Sequence, residues 1–214
     1  RARGALRKGS RITAATQLLT YSDMTIFENR GRRTLNEAST VEEFLGLRAD
    51  LGAFALGSYF AELLETVSAE EYPDPPVLQL GLNSLYALSR ALCPPEQIKA
   101  VFELRLMCLA GYEPDLSCCA RCGAPEPAEP WLSLRGGAVY CAQCRGASSS
   151  AVTPLLPETL AAMRHVVNAD PKKIFSFTLG DAGRRQLARV CEEYTAMQLE
   201  RGFASLDYWK KVKD

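Results

Sequence analysis

The chain has 214 residues, 47% hydrophobic and 23% charged, with equal numbers of acidic and basic side chains, the composition of an ordinary globular protein long enough to bury a core. It has no run of about 18 uncharged apolar residues to span a membrane, and its arginine-rich start lacks the apolar core of a secretory signal, so a cytoplasmic protein without a membrane partner is expected. The neutral total hides an asymmetry: residues 1–33 hold eight basic groups against Asp23 and Glu28, which suggests a polyanion-binding end on an acidic body.

The first segment reads as β structure. Gly4 and Gly9 bracket a basic stretch that can form a bent strand. Thr20 to Phe27 carries β-branched and aromatic residues, Asn29-Arg30-Gly31-Arg32 supplies turn chemistry, and Arg33 to Asn36 can return as a partner strand. Arg1, Arg3, Arg7, Lys8 and Arg11 alternate with small residues that let a phosphate backbone approach, and Arg30, Arg32 and Arg33 extend the same character to the hairpin tip. These eight are the candidate DNA-binding residues, since each neutralised phosphate releases a counterion. The competing explanation is a solvated basic edge that discourages strand aggregation.

From about residue 41 the apolar period becomes helical. Val41 to Val67 reads as a short helix and a longer one divided at Gly46. Asp74-Pro75 predicts an N-cap followed by proline in the first turn, with Leu78, Leu82, Leu85, Leu88 and Leu92 as the apolar face. A helix starting near Pro94-Pro95-Glu96 is apolar nearly all the way round, which implies a buried central helix, with Gly111 as its C-cap. Ala147 to Ser150 reads as a small-residue linker. Helices are predicted again over Glu158–Asn168 and Asp181–Arg201, the latter stopped by Gly202, and Lys210, Lys211 and Lys213 read as an exposed tail. The helices on either side of residues 116–147 must pack together, since neither half offers a complete bundle core.

Five of the eight cysteines cluster between these helical stretches; Cys93, Cys108 and Cys191 fall in apolar helical patterns as small hydrophobes. Cys119-x2-Cys122, eighteen residues, then Cys141-x2-Cys144 is the spacing of a four-cysteine zinc site. Two intervening residues let a tight turn aim both sulfurs at one point, and two such knuckles complete a tetrahedron. Gly123 and Gly146 follow the knuckles as left-handed turn residues, and Gly136-Gly137 predicts a two-residue hairpin turn between Trp131–Arg135 and Ala138–Tyr140, as in a zinc ribbon. Cys118 offers an alternative ligand through Cys118-x3-Cys122, and disulfides or free thiols are the competing explanation of the cluster. A four-thiolate site leaves no open position for catalysis. His165 is alone on its helix, no phosphate-cradling glycine motif occurs, and Glu42-Glu43, Glu70-Glu71 and Glu192-Glu193 read as solvated carboxylates, so the sequence points to no enzyme.

Taken together, these stretches resemble the bacterial recombination mediators of the RecO family. The carriers are Arg7-Lys8-Gly9-Ser10-Arg11-Ile12, Leu18-Leu19-Thr20, Glu28-Asn29-Arg30-Gly31-Arg32-Arg33-Thr34-Leu35, and Phe102-Glu103-Leu104-Arg105-Leu106. The most specific part runs from Gly111-Tyr112-Glu113-Pro114-Asp115-Leu116 into Cys119-Ala120-Arg121-Cys122-Gly123. The resemblance implies a mainly α protein with a small β part: a partial N-terminal OB-fold over 1–40, a helical bundle domain over 41–115 and 148–214, and a zinc-ribbon-like insert over 116–147. Since the resemblance begins inside the family's OB-fold, the fold's opening strands are expected to be absent from this sequence, either left out of it or lacking from the protein, and in the latter case a closed barrel would not form. It further implies one structural zinc ion, binding to single- and double-stranded DNA, and strand annealing without nucleotide hydrolysis. The implied partners are the ring-forming mediator RecR, the acidic C-terminal tail of single-strand-binding protein docking on the helical domain, and indirectly the recombinase RecA. The alternative is a zinc-containing interaction adaptor that does not touch DNA.

Overall fold

The computed structural model describes residues 12–69 and 72–213. After a 3-10 turn at Ala14–Thr16 comes the expected hairpin, longer than its β-branched core alone suggests: β1 (Tyr21–Asn29) pairs antiparallel with β2 (Arg32–Glu42). Arg30 and Gly31 both take positive φ, 48° and 70°, the geometry of a two-residue turn that matches strand twist. Val41 and Glu42 therefore extend a strand and do not open a helix. Ser22 Oγ donates to Ala15 O (2.9 Å), which ties the hairpin's base to the 3-10 turn before it, and Arg48 donates to Thr20 Oγ1 (2.9 Å), which ties it to the helical body. The candidate residues Arg1, Arg3, Arg7, Lys8 and Arg11 lie outside the described residues, as does the strand expected near Gly4 and Gly9.

Two helices follow, α1 (Leu45–Arg48) and α2 (Leu51–Val67). The break falls at Ala49-Asp50 and not at Gly46, because Asp50 caps α2 by accepting from the Ala53 N–H. Gly46 serves close packing instead: a Cβ there would sit 1.9 Å from the Ser89 carbonyl oxygen. Gly46→Ala is expected to destabilise the fold by about 1–3 kcal/mol, readable as a lower urea midpoint; an unchanged midpoint would mean that the α1 contact yields freely.

The third helix, α3 (Pro75–Ser89), starts as the sequence predicts, with the Asp74 carboxylate accepting from Val77 N–H. Next comes α4 (Pro95–Leu109), buried on every side and packed against the helices before and after it. Gly111, at φ +89°, closes it: the Tyr112 N–H reaches back to Met107 O (2.8 Å). Cys93 lies in the link between α3 and α4, not inside a helix.

The insert is a three-stranded antiparallel sheet ordered β4-β3-β5, from β3 (Trp131–Ser133), β4 (Ala138–Tyr140) and β5 (Val152–Pro154). Its turn is four residues, Leu134 to Gly137, because Ser133 pairs with Ala138; Gly137 alone carries the positive φ of 60°. The stretch expected as a linker is structured: Arg145–Ala147 forms a 3-10 turn, Ser148 and Ser150 hydrogen-bond each other, and β5 adds the third strand.

Helix α5 (Pro157–Asn168) and α6 (Asp181–Leu199) return the chain to α4, which both pack against. The long helix stops at Glu200 in a left-handed conformation, φ 52°, ahead of Gly202. The lysines expected in an exposed tail belong instead to a packed helix and its cap: α7 (Ala204–Val212) carries Lys210 and Lys211, buries Leu206 and Trp209 and packs on α2. The described residues are thus mainly α with two small antiparallel sheets.

Candidate metal centre and basic surface

The four cysteines of the two knuckles converge. The sulfurs of Cys119, Cys122, Cys141 and Cys144 all lie within 4.8 Å of one another, with Cys119–Cys141 at 3.9 Å and Cys122–Cys141 at 3.8 Å. A tetrahedron with metal–sulfur bonds of about 2.3 Å has edges of about 3.8 Å, so the donor set fits a thiophilic ion without rearrangement. No disulfide joins them. Of the two adjacent cysteines, Cys119 enters the cluster, while the Cys118 sulfur faces Ser117 Oγ at 3.7 Å.

Local backbone chemistry builds the first knuckle. Cys119 N–H donates to Ala124 O (2.8 Å) and Gly123 N–H to Cys119 O (2.9 Å), with Gly123 at φ +72° as the turn requires. Gly146, by contrast, sits in the 3-10 turn without positive φ. The sheet joins the knuckles through Ala120 N–H to Val139 O (2.8 Å).

Electrostatics agrees with a cation at this point. Burial opposes ionisation of Cys119, but the N–H groups of Cys122, Cys141 and Arg121 face its sulfur and bring its thiol down to about 6. Cys144 moves the other way, to about 12, because its sulfur shares hydrogen bonds with Cys141 and its neighbours. Four thiolates so close cannot ionise together without a positive charge among them, and a bound metal supplies it. These four residues can hold a metal ion.

The insert is fastened to the helices by side chains that sequence patterns did not single out. Arg164 of α5 donates to Leu116 O (2.7 Å), Ser117 O (3.2 Å) and Pro125 O (2.7 Å), and pairs with Glu126 at 2.9 Å. Tyr194 Oη donates to Tyr112 O (2.8 Å) and Gln198 to Leu134 O (2.7 Å). A lone arginine in a helix pattern gives no hint that it will gather three carbonyls from a segment about forty residues away.

The hairpin tip presents Arg30, Arg32 and Arg33 to solvent, with Arg33 paired to Glu28 at 3.0 Å. An arginine in the left-handed region costs about 1–2 kcal/mol relative to glycine, so the charge at Arg30 is kept at some expense.

A second concave feature lies on the helical body. Pro76 and Leu80 of α3, Leu109 of α4, and Pro171 and Ile174 of the segment after α5 line an apolar groove of about 360 Å³ with Arg105 at its wall. Nη1 of Arg105 donates to the Val166 carbonyl (3.2 Å) and to that of Val167; its other N–H groups have no hydrogen bond among the described residues. His165 is neither isolated nor aimed at a reaction site: its Nε2 meets Lys173 O at 3.0 Å, and its ring packs edge-on against Phe177.

Comparison with known proteins gives a consistent result. A family model described as the C-terminal part of recombination protein O matches residues 48–207. The "DNA repair protein RecO" of Acetivibrio thermocellus is 31% identical over 211 residues, covering 99% of this chain and 84% of that protein. The protein of the same name from Alkaliphilus metalliredigens is 28% identical over 212 residues, 99% of this chain and 86% of its own length. That of Heliobacterium modesticaldum is 31% identical over 198 residues, 90% and 71%.

Proposed function

This chain belongs to the RecO family of DNA repair proteins, and on that footing we propose that it is a non-enzymatic recombination mediator that binds single- and double-stranded DNA, anneals complementary strands and helps load a RecA-type recombinase on strands coated by single-strand-binding protein. A RecR-type ring is its further partner. The observation that carries DNA binding is the exposed, arginine-bearing hairpin tip, in the same N-terminal segment as the basic residues 1–11. The proposed contacts are Arg1, Arg3, Arg7, Lys8, Arg11, Arg30, Arg32 and Arg33, and the β part they sit on is read as the remainder of an OB-fold, a fold that suits strand binding. The metal is proposed to be one structural zinc ion, on the chemistry of its four-sulfur donor set.

The groove beside Arg105 supports the docking of an acidic tail. Its apolar walls accept terminal apolar side chains, and Arg105 with the nearby exposed Lys172 and Lys173 complements carboxylates. This feature also favours the second reading, an adaptor that engages proteins and not DNA.

Reversing Arg30, Arg32 and Arg33 to glutamate separates the two. Single-strand affinity is expected to fall about tenfold or more in fluorescence anisotropy, since each lost phosphate contact removes a counterion-release contribution. Unchanged affinity with intact peptide capture would leave the adaptor reading in place of the mediator.

A further inference from the structure

We propose that Arg164 couples occupancy of the four-cysteine metal site to the groove at Arg105, so that a bound metal strengthens capture of an acidic peptide with an apolar C-terminus. The coupling rests on the groove's being a peptide site, and both ends of it are built from the last two turns of α5.

At one end, the guanidinium of Arg164 sits in a cage of three carbonyls and a carboxylate. Leu116 and Ser117 precede the first knuckle; Pro125 and Glu126 follow it. These four groups face one point because the chain between them is folded into the turn that places Cys119 and Cys122 beside Cys141 and Cys144. Metal closes that turn. Without it, four sulfurs within 4.8 Å of each other have no common partner, the turn is free to open, and the carbonyls disperse from Arg164.

At the other end, the same helix shapes the groove. The carbonyls of Val166 and Val167, left over at the helix terminus, accept from Arg105 and so set its direction. His165 meets Lys173 O at 3.0 Å and places the segment that carries Pro171 and Ile174, the latter 1% exposed. Arg164, His165, Val166 and Val167 are consecutive, so a shift of this helix end moves all of these contacts together. The two arrangements are a knuckle closed on metal with Arg164 caged, and an open knuckle with Arg164 released; such a discrete pair is what transmission between sites requires.

The test uses the full chain loaded with one equivalent of zinc and a fluorescein-labelled peptide of four aspartates ending in two apolar residues. Chelation is expected to weaken peptide binding about fivefold or more, and saturating peptide to tighten zinc binding by the same factor, as linkage demands. Because chelation can unfold more than the insert, Arg164→Gln with zinc retained is the decisive arm. It is expected to bind the peptide about fivefold more weakly while zinc stoichiometry and helical circular dichroism stay at wild-type values, and its residual affinity no longer responds to chelation. Peptide binding that is lost in Arg105→Gln but unchanged in Arg164→Gln and by chelation would overturn the coupling and leave the groove assignment standing. No binding to the zinc-loaded wild type, or binding unaffected by Arg105→Gln, would overturn the groove assignment and the coupling with it.

Discussion

Lys99→Ala is expected to destabilise the protein by about 3–5 kcal/mol, the range for removing one partner of a buried ion pair. Lys99 is 1% exposed and Glu103, one turn along α4, is fully buried. The Lys99 ammonium pairs with Glu103 at 2.9 Å and with Glu192 of α6 at 2.9 Å, and donates to Ala188 O at 3.3 Å. Glu103 accepts from Tyr59 Oη of α2 at 2.8 Å, and Glu192 pairs with Lys210 of α7. Burial alone would lower the Lys99 pKa, but the two carboxylates outweigh it and hold it above the ordinary lysine value. Glu103 is raised by burial, with Lys99 and Tyr59 opposing. The network is therefore mutually dependent: without Lys99, a fully buried carboxylate is left with Tyr59 Oη as its remaining side-chain hydrogen-bond partner among the described residues. Replacing Lys99, Glu103 and Tyr59 together by Met, Leu and Phe is expected to recover most of the loss, because an apolar core of similar volume has nothing to compensate. Urea unfolding followed by helical circular dichroism reads both variants; a single-variant cost under about 1 kcal/mol would show that water reaches Glu103.

The second large effect is expected from Cys122→Ser. Cys122 is exposed, so serine there removes no buried apolar surface, and what is lost is one of the four sulfurs proposed to hold the metal. Structural zinc sites contribute about 10–16 kcal/mol of apparent folding free energy near neutral pH, far more than a three-stranded sheet of three-residue strands holds by itself. If the proposed zinc is bound there, the variant is expected to lose it and to unfold the insert while α4 and its neighbours remain. Trp131 in β3 reports the insert and Trp209 in α7 reports the helical body, so fluorescence in a Trp209→Phe background isolates the change. An unaltered Trp131 spectrum and melting curve in the zinc-free variant would mean that packing alone holds the ribbon.

The sequence displayed those features whose cause is local. Asp74-Pro75, the Gly111 C-cap and the Arg30-Gly31 turn are each specified by a few adjacent residues, and each forms where expected. The four-cysteine cluster was legible for the same reason, since two knuckles of fixed spacing need only be brought together by one hairpin. What escaped depends on distant partners. Helix α7 is short and follows a glycine, and its lysines suggested a tail; only Phe203, Leu206 and Trp209 at three-residue intervals signalled a buried face, completed by α2. Strand β5 is too brief to show a period and exists because β3 has a free edge. Glu192-Glu193 read as two solvated carboxylates, yet Glu192 joins the Lys99 network while Glu193 pairs with Arg189 at 3.1 Å on the surface. Arg105, within a helix apolar nearly all round, was the one sign of the groove: a charge that must be buried or functional on such a helix.

The proposal of DNA binding through the basic β end is tested most directly by the salt dependence of single-strand affinity. Titrating the wild-type chain into a labelled 30-base strand across a range of salt concentrations should give log K falling linearly with log salt. Each neutralised phosphate adds about −0.7 to that slope on single strands, so Arg30, Arg32 and Arg33 alone set about −2, and the basic residues ahead of them make it steeper. A slope near zero, or no binding at low salt, would contradict DNA contact by this surface.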